Sequence, residues 1–210
     1  MNFRFPTSVS LAVALLAAGG SSAPALAEKA DRLKPLNVEA DQPSNIDLLK
    51  RVVLFNGNVV VTKGTLAIRA ARVEVRETPD GYQAAVATGG SGKPATFRQK
   101  RDGVDEFIEG QAERLEYDSK ADTVRFVNAA VVRRLRGGAV ADEVTGSVVS
   151  YDNTTEVFSV SGGAAAVTPG NPGGRVRAVL TPREGTPAAA EAASQAAPAL
   201  KPSTSLGTPR

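Results

Sequence analysis

Polar and apolar positions alternate along most of this chain, and the alternation recurs in a fixed frame. Asp47, Asp80, Asp118 and Asp152 each open a run with an apolar or small residue six and eight positions later and Gly or Asn ten positions later. The sixth positions are Val53, Val86, Val124 and Phe158, the eighth Phe55, Thr88, Phe126 and Val160, and the tenth Gly57, Gly90, Asn128 and Gly162. Residues two apart share one face of a strand. An Asp before the strand and Gly or Asn after it supply turn chemistry at both ends. A second half-pattern sets a small residue before apolar residues three and five positions on: Ala70 with Val73 and Val75, Ala112 with Leu115 and Tyr117, Gly146 with Val149 and Tyr151. The chain therefore reads as one β-unit repeated four times, its copies stacking to share a core.

Turn signals divide these units further. Asn56, Gly57 and Asn58 separate a strand at 52–55 from one at 59–62, and Gly64, the Pro79–Asp80–Gly81 run, residues 100–103, Gly137 with Gly138, and Asp152 with Asn153 mark further turns. About sixteen short antiparallel strands fit, arranged as two facing sheets in an all-β domain over 35–180. The shared parity directs fourteen side chains to the space between the sheets: Val53, Phe55, Leu66, Ile68, Val73, Val75, Leu115, Tyr117, Val124, Phe126, Val149, Tyr151, Phe158 and Val160.

The ends of the chain read differently. Arg4 is the sole charge before Glu28, residues 9–18 are apolar, and Ala25, Leu26 and Ala27 form a small-residue cleavage signal. This predicts a secretory signal peptide over 1–27, cut between Ala27 and Glu28, and an exported product. Residues 28–34 read as a charged, flexible leader. From Thr181 onward Pro, Ala, Ser and Thr dominate without apolar period, which predicts disorder over 181–210, with a transient helix open to 188–197.

Composition narrows the function. The chain has no His and no Cys, so Ser–His and Cys–His nucleophiles, disulfides and the common zinc sites are excluded. Beyond the cleavage site, 24 of the 25 basic residues accompany all 22 acidic ones, a net charge of +2 that does not suit binding to nucleic acid. Gly90, Ser91, Gly92 and Lys93 lack the spacing of a phosphate loop, and Pro94 blocks the helix such a loop needs. Asp102, Asp105, Glu106 and Glu109 lack calcium-loop spacing and read as a solvated turn and strand edge. Arg133, Arg134 and Arg136 read as an exposed loop or as a contact for an anion, such as a lipid-borne phosphate. Neither catalysis, metal nor cofactor is expected.

Three strings carry a family resemblance: Phe55 to Val59, then Gly64 to Ala70 with Val73, and Gly110 to Ala112 leading into Tyr117 and Asp118. They resemble the OstA-like family, over roughly 36–163. The resemblance implies a jellyroll-like, twisted, V-shaped double sheet and carriage of the lipid A acyl chains of lipopolysaccharide between the sheets. It also implies a periplasmic bridge between inner and outer membranes. Implied partners are the inner-membrane component LptC and the amino-terminal domain of the outer-membrane component LptD, joined by edge-strand augmentation, together with head-to-tail self-association. An LptC-like anchored protein is the neighbouring alternative, and the cleavage signal speaks against it. On the residues alone, Val, Leu and Ile facing inward suit either acyl chains or a closed core of their own. The latter would be a structural scaffold of the cell envelope.

Overall fold

A computed structural model describes residues 31, 33–167, 169 and 171–195. The expected signal segment, its cleavage point and the chain beyond 195 lie outside the described residues.

Twelve strands follow one another: β1 (Asn37–Glu39), β2 (Gln42–Asp47), β3 (Val52–Lys63), β4 (Leu66–Glu77), β5 (Gln83–Thr88), β6 (Ala95–Lys100), β7 (Glu106–Ala112), β8 (Arg114–Asp118), β9 (Thr123–Arg136), β10 (Ala139–Asp152), β11 (Val157–Ser161) and β12 (Arg177–Leu180). Every pairing between them is antiparallel. The long strands β3, β4, β9 and β10 each change partners half-way. The first half of β3 pairs with β2 and its second half with β1. The first half of β4 pairs with β6 and its second half with β5. In β9 the first half meets β8 and the second β7; in β10 the first meets β12 and the second β11.

These pairings resolve into two layers of eight segments. The upper layer runs β2, β3, β4, β5, β8, β9, β10, β11, and the lower runs β1, β3, β4, β6, β7, β9, β10, β12. The expected sixteen strands are thus twelve, because four of them pass through both layers. Asn56, Gly57 and Asn58 do not end a strand. They form an irregularity inside β3, where the register shifts between Asn56 and Val59. Gly57 and Asn58 have φ of 74° and 43°, and in β9 Asn128 and Ala129 have φ of 65° and 47°. A short left-handed excursion bends a strand sharply without ending it. The tenth position of each repeat is therefore where the chain crosses from the upper to the lower layer: inside β3, at the hairpin of residues 89–94, inside β9, and at Gly162. The small residue of the second half-pattern marks the return.

The repeat aspartates do what their chemistry predicts. Asp47 Oδ1 accepts the Lys50 N–H, Asp118 Oδ1 those of Lys120 and Ala121, and Asp152 Oδ1 those of Thr154 and Thr155. Asp80 differs, bonding the Thr78 hydroxyl and Lys120. Its turn also shifts the strand that follows by one residue. Ala85 and Ala87, not Val86 and Thr88, face inward on β5. In a strand of period two, a one-residue slip exchanges the faces.

Two more readings change. Asp31, within the stretch read as a flexible leader, is buried, and its Oδ2 accepts the backbone N–H and hydroxyl of Thr65 at 2.7 and 2.6 Å. The tail, read as disordered with a transient helix open to 188–197, holds a formed helix, α1 (Pro187–Gln195). Thr186 precedes Pro187 at the first helical position, and Ala189 and Ala190 donate back to Thr186. The run is alanine-rich, and alanine is the best helix former. No helix among the described residues is long and apolar enough to cross a membrane.

Candidate functional site: the space between the layers

The inner faces form apolar rows running across the strands, two of them from one edge of the molecule to the other. In the upper layer one row links Ile46, Val53, Val75, Ala85, Tyr117, Val124, Tyr151 and Phe158 as successive cross-strand partners. The row beside it links Phe55, Val73, Ala87, Leu115, Phe126, Val149 and Val160. In the lower layer Val38, Val61, Ile68, Phe97, Gly110, Val132, Val144 and Ala178 form a third. Directly opposed side chains lie within contact reach, and at Gly110, which has none, the Phe126 ring fills the place, so each row is an apolar stripe.

All fourteen sequence-predicted positions belong to these inner faces. Leu66, Ile68, Val73, Val75, Leu115, Tyr117, Val124, Phe126, Val149 and Tyr151 are buried. Phe55, Phe158 and Val160 are partly buried against the same core, and Val53 is half-buried beside Val75. Twelve of them form the two upper rows with Ile46, Ala85 and Ala87, while Leu66 and Ile68 line the lower layer. Most of the lower row went unread: Val38, Val61, Phe97, Val132 and Val144. Their alternation is present in the sequence, but most lie outside the frame set by the aspartates. The layers meet through Phe126, whose ring stands edge-on to Phe97 at 5.6 Å between centroids and presses on Gly110.

The interior becomes polar along one side, where turns of the two layers approach. Lys63 shares the inward parity of Val59 and Val61 and is 1% exposed. Its Nζ donates to Gln83 Oε1 across the gap at 2.9 Å. Burial lowers its affinity for the proton, and the nearby Asp122 carboxylate opposes that. Further along, Glu106 faces inward beside Ile108 and binds three guanidinium groups. Arg134 donates to both its oxygens at 3.0 and 3.1 Å, Arg136 Nε donates at 2.8 Å, and Arg101 completes the set. Burial pushes the Glu106 carboxyl up, but the arginines outweigh it and hold the group down at about 2. Arg134 also donates to Asp142 at 2.7 Å, and Arg101 reaches across the gap to Glu156.

Two sequence readings are corrected here. Glu106 is not a solvated edge residue; it is the buried centre of this cluster. Arg133, Arg134 and Arg136 are not a loop, because they lie on β9. Arg134 and Arg136 point inward, whereas Arg133 pairs with Glu143 on the outer face. The cluster borders a cavity of about 540 Å³ that also touches Val104, Ile108, Tyr151, Phe158, Arg183 and Glu184.

The model of the family described as LptA/(LptD N-terminal domain) LPS transport protein matches residues 37–157. The chain belongs to this family. It is 38% identical over 135 residues to the lipopolysaccharide export system protein LptA of Escherichia coli K12, covering 64% of this chain and 70% of that protein. It is 29% identical over 164 residues to LptA of Haemophilus influenzae, covering 78% and 87%. It is 27% identical over 181 residues to the lipopolysaccharide export system protein LptH of Pseudomonas aeruginosa, covering 86% and 98%. The crystal structure of LptH, the LptA homologous periplasmic component of the conserved lipopolysaccharide transport device from that organism, superposes with a TM-score of 0.60. It is 24% identical in sequence and covers 73% of this chain and 99% of that one. The matched family segment runs from β1 to the start of β11. It includes all four bent strands, so the layer-crossing part of this chain lies within the segment that defines the family.

Proposed function

We propose that this chain is a periplasmic lipopolysaccharide-transport protein. It binds the acyl chains of lipid A between its layers and passes them along a bridge from the inner to the outer membrane. The observation that carries the reading is the set of three apolar rows, two of which, Ile46 to Phe158 and Val38 to Ala178, continue to both edges. Every methylene transferred from water to an apolar surface is favourable by roughly 0.8 kcal/mol. A stripe that runs through the whole molecule therefore lets an acyl chain advance without meeting water. The inner side chains are buried among themselves, so a lipid enters by parting the layers. A photo-crosslinking residue at Phe126, on the inner face, is expected to capture lipopolysaccharide, and one at the outward Arg125 is not. A passive envelope scaffold with a permanently closed core would give no capture at either position, and equal capture at both would refute the inner-face assignment.

Transport along a bridge needs joints. The edges β1 and β2 lie at one end of the stack, and β11 and β12 at the other. β12 is exposed along its length, including Val179 and Leu180, and Ile46 is exposed at the opposite edge. Open edges invite augmentation by another strand. The reading assigns these ends to head-to-tail self-association and to docking of LptC and the amino-terminal domain of LptD. It also places the cleaved signal peptide at 1–27, which delivers the chain to the periplasm. A proline at Val179 removes a ladder donor from β12. The Val179→Pro variant is expected to lose association in light scattering while keeping the strand content of the parent. Undiminished association would refute the β12 joint.

A further inference from the structure

The cavity on the polar side of the interior has the features of a site for an anion, and we propose that it receives a phosphomonoester on the headgroup of the bound amphiphile. This rests on the lipid-carrying function proposed above. Two of its carboxylates would then be placeholders that the phosphate displaces. The guanidinium groups divide into two kinds. Arg134 is fully engaged within its own layer by Glu106 and Asp142. Arg101 and Arg136 bind Glu106 but complete their coordination with residues from elsewhere. Arg101 uses Glu156, on the turn after β10 in the opposite layer. Arg136 lies 3.9 Å from Glu184, which follows the last strand and has a side chain 79% exposed. Arg183 lines the same cavity. Glu156 is likewise solvent-accessible, so both placeholder carboxylates can be rehydrated at little cost, whereas the buried Glu106 cannot.

A second observation points to the same space. The Tyr151 hydroxyl is buried, borders the cavity beside Arg101 and makes no well-formed hydrogen bond. Buried hydroxyls are normally paired, and an orphan at a cavity wall marks a place for a ligand oxygen. The Tyr151 ring lies in an apolar row, stacked on Phe158 at 4.5 Å. Apolar wall and anion donors are therefore adjacent, as an amphiphile requires. A phosphate exchanged for Glu156 would take its bonds from Arg101, Arg136 and the Tyr151 hydroxyl. It would also break the Arg101–Glu156 tie between the layers, so headgroup binding and opening of the gap are one event.

The test is equilibrium binding of the purified full chain to three probes: diphosphoryl lipid A, the same lipid enzymatically dephosphorylated, both in nonionic detergent, and soluble glucosamine 1-phosphate. The diphosphoryl lipid is expected to bind roughly tenfold more tightly than the dephosphorylated one, as charge-assisted hydrogen bonds of this kind imply. The soluble phosphate should bind weakly. Arg136→Gln should remove the difference between the lipids, and Arg125→Gln, on the outer face, should not. Because Arg136→Gln also disturbs the Glu106 cluster, Glu156→Gln is the sharper variant. It removes a competing carboxylate and unties the layers for either lipid, so the phosphorylated lipid is expected to gain about threefold more affinity than the dephosphorylated one. Equal affinity for the two lipids, or no widening of their difference in Glu156→Gln, overturns the anion site while leaving lipid carriage intact. Tight binding of the soluble phosphate overturns the assignment to an amphiphile. Failure of both lipids to bind overturns the anion site and the lipid-carrying function together.

Discussion

Replacing Phe126 by alanine is expected to lower the free energy of unfolding by about 3–5 kcal/mol, the range for truncating a fully buried aromatic. The residue is 0% exposed and bridges the two layers. Within its own layer the adjacent strands β8 and β10 supply the neighbours Leu115 and Val149 of the upper row. Across the gap it meets Phe97 edge-on and covers Gly110. Loss of the ring leaves a cavity bounded by both sheets, and sheets held by backbone ladders collapse poorly around a void. The complementary change has the opposite geometry. Gly110→Ala builds a methyl group into the space of the Phe126 ring and should cost about 1–3 kcal/mol as overpacking. Combining Gly110→Ala with Phe126→Leu should cost less than the sum of the two changes, because each relieves the other. Urea denaturation of the four proteins measures the cycle. Strict additivity would show that ring and glycine do not share one packing site.

Removal of the Glu106 carboxylate should be nearly as costly. Glu106→Gln leaves Arg101, Arg134 and Arg136 facing one another around a neutral amide. Removing one member of a buried ion cluster costs about 3–5 kcal/mol, and here about 3 kcal/mol is expected because the guanidinium groups keep part of their hydration. The pH dependence follows from the sign of the shift. Glu106 is held at about 2 in the folded chain, against 4.5 for its ordinary value. Its contribution to stability is fully present above about pH 4.5 and is lost as pH falls towards about 2. Thermal midpoints measured through this window should fall steeply for the parent. The Glu106→Gln variant should be less stable at neutral pH and should fall less steeply below pH 4.5. Parallel curves for the two proteins would show that another carboxylate governs acid unfolding.

Local chemistry was legible in the sequence because it acts over a few residues. Alternation fixed the faces of Val53, Phe55, Val124, Phe126, Phe158 and Val160. Asp47, Asp118 and Asp152 announced their turns because an Asx side chain bonds backbone N–H groups two and three residues on. The resemblance in 55–59, 64–73 and 110–118 identified the family, and the four-fold repeat announced a stack. At Asp80 the same reasoning slipped by one residue, since a different hydrogen-bond pattern in the turn moved Ala85 and Ala87 inward.

Tertiary structure decided what depends on partners far apart in the chain. A Gly or Asn with positive φ suits a turn or a bend equally well. Only the pairing of β3 with β1 and β2, and of β9 with β7 and β8, makes residues 57–58 and 128–129 crossings between layers. Arg134 and Arg136 are separated by one residue, and their inward direction follows from parity. Their partner Glu106 lies 28 and 30 residues away on β7, joined to them by the register of two strands. A charge looks solvent-bound in sequence whenever its counter-charges arrive only on folding, which is why the buried cluster and its cavity were read as surface.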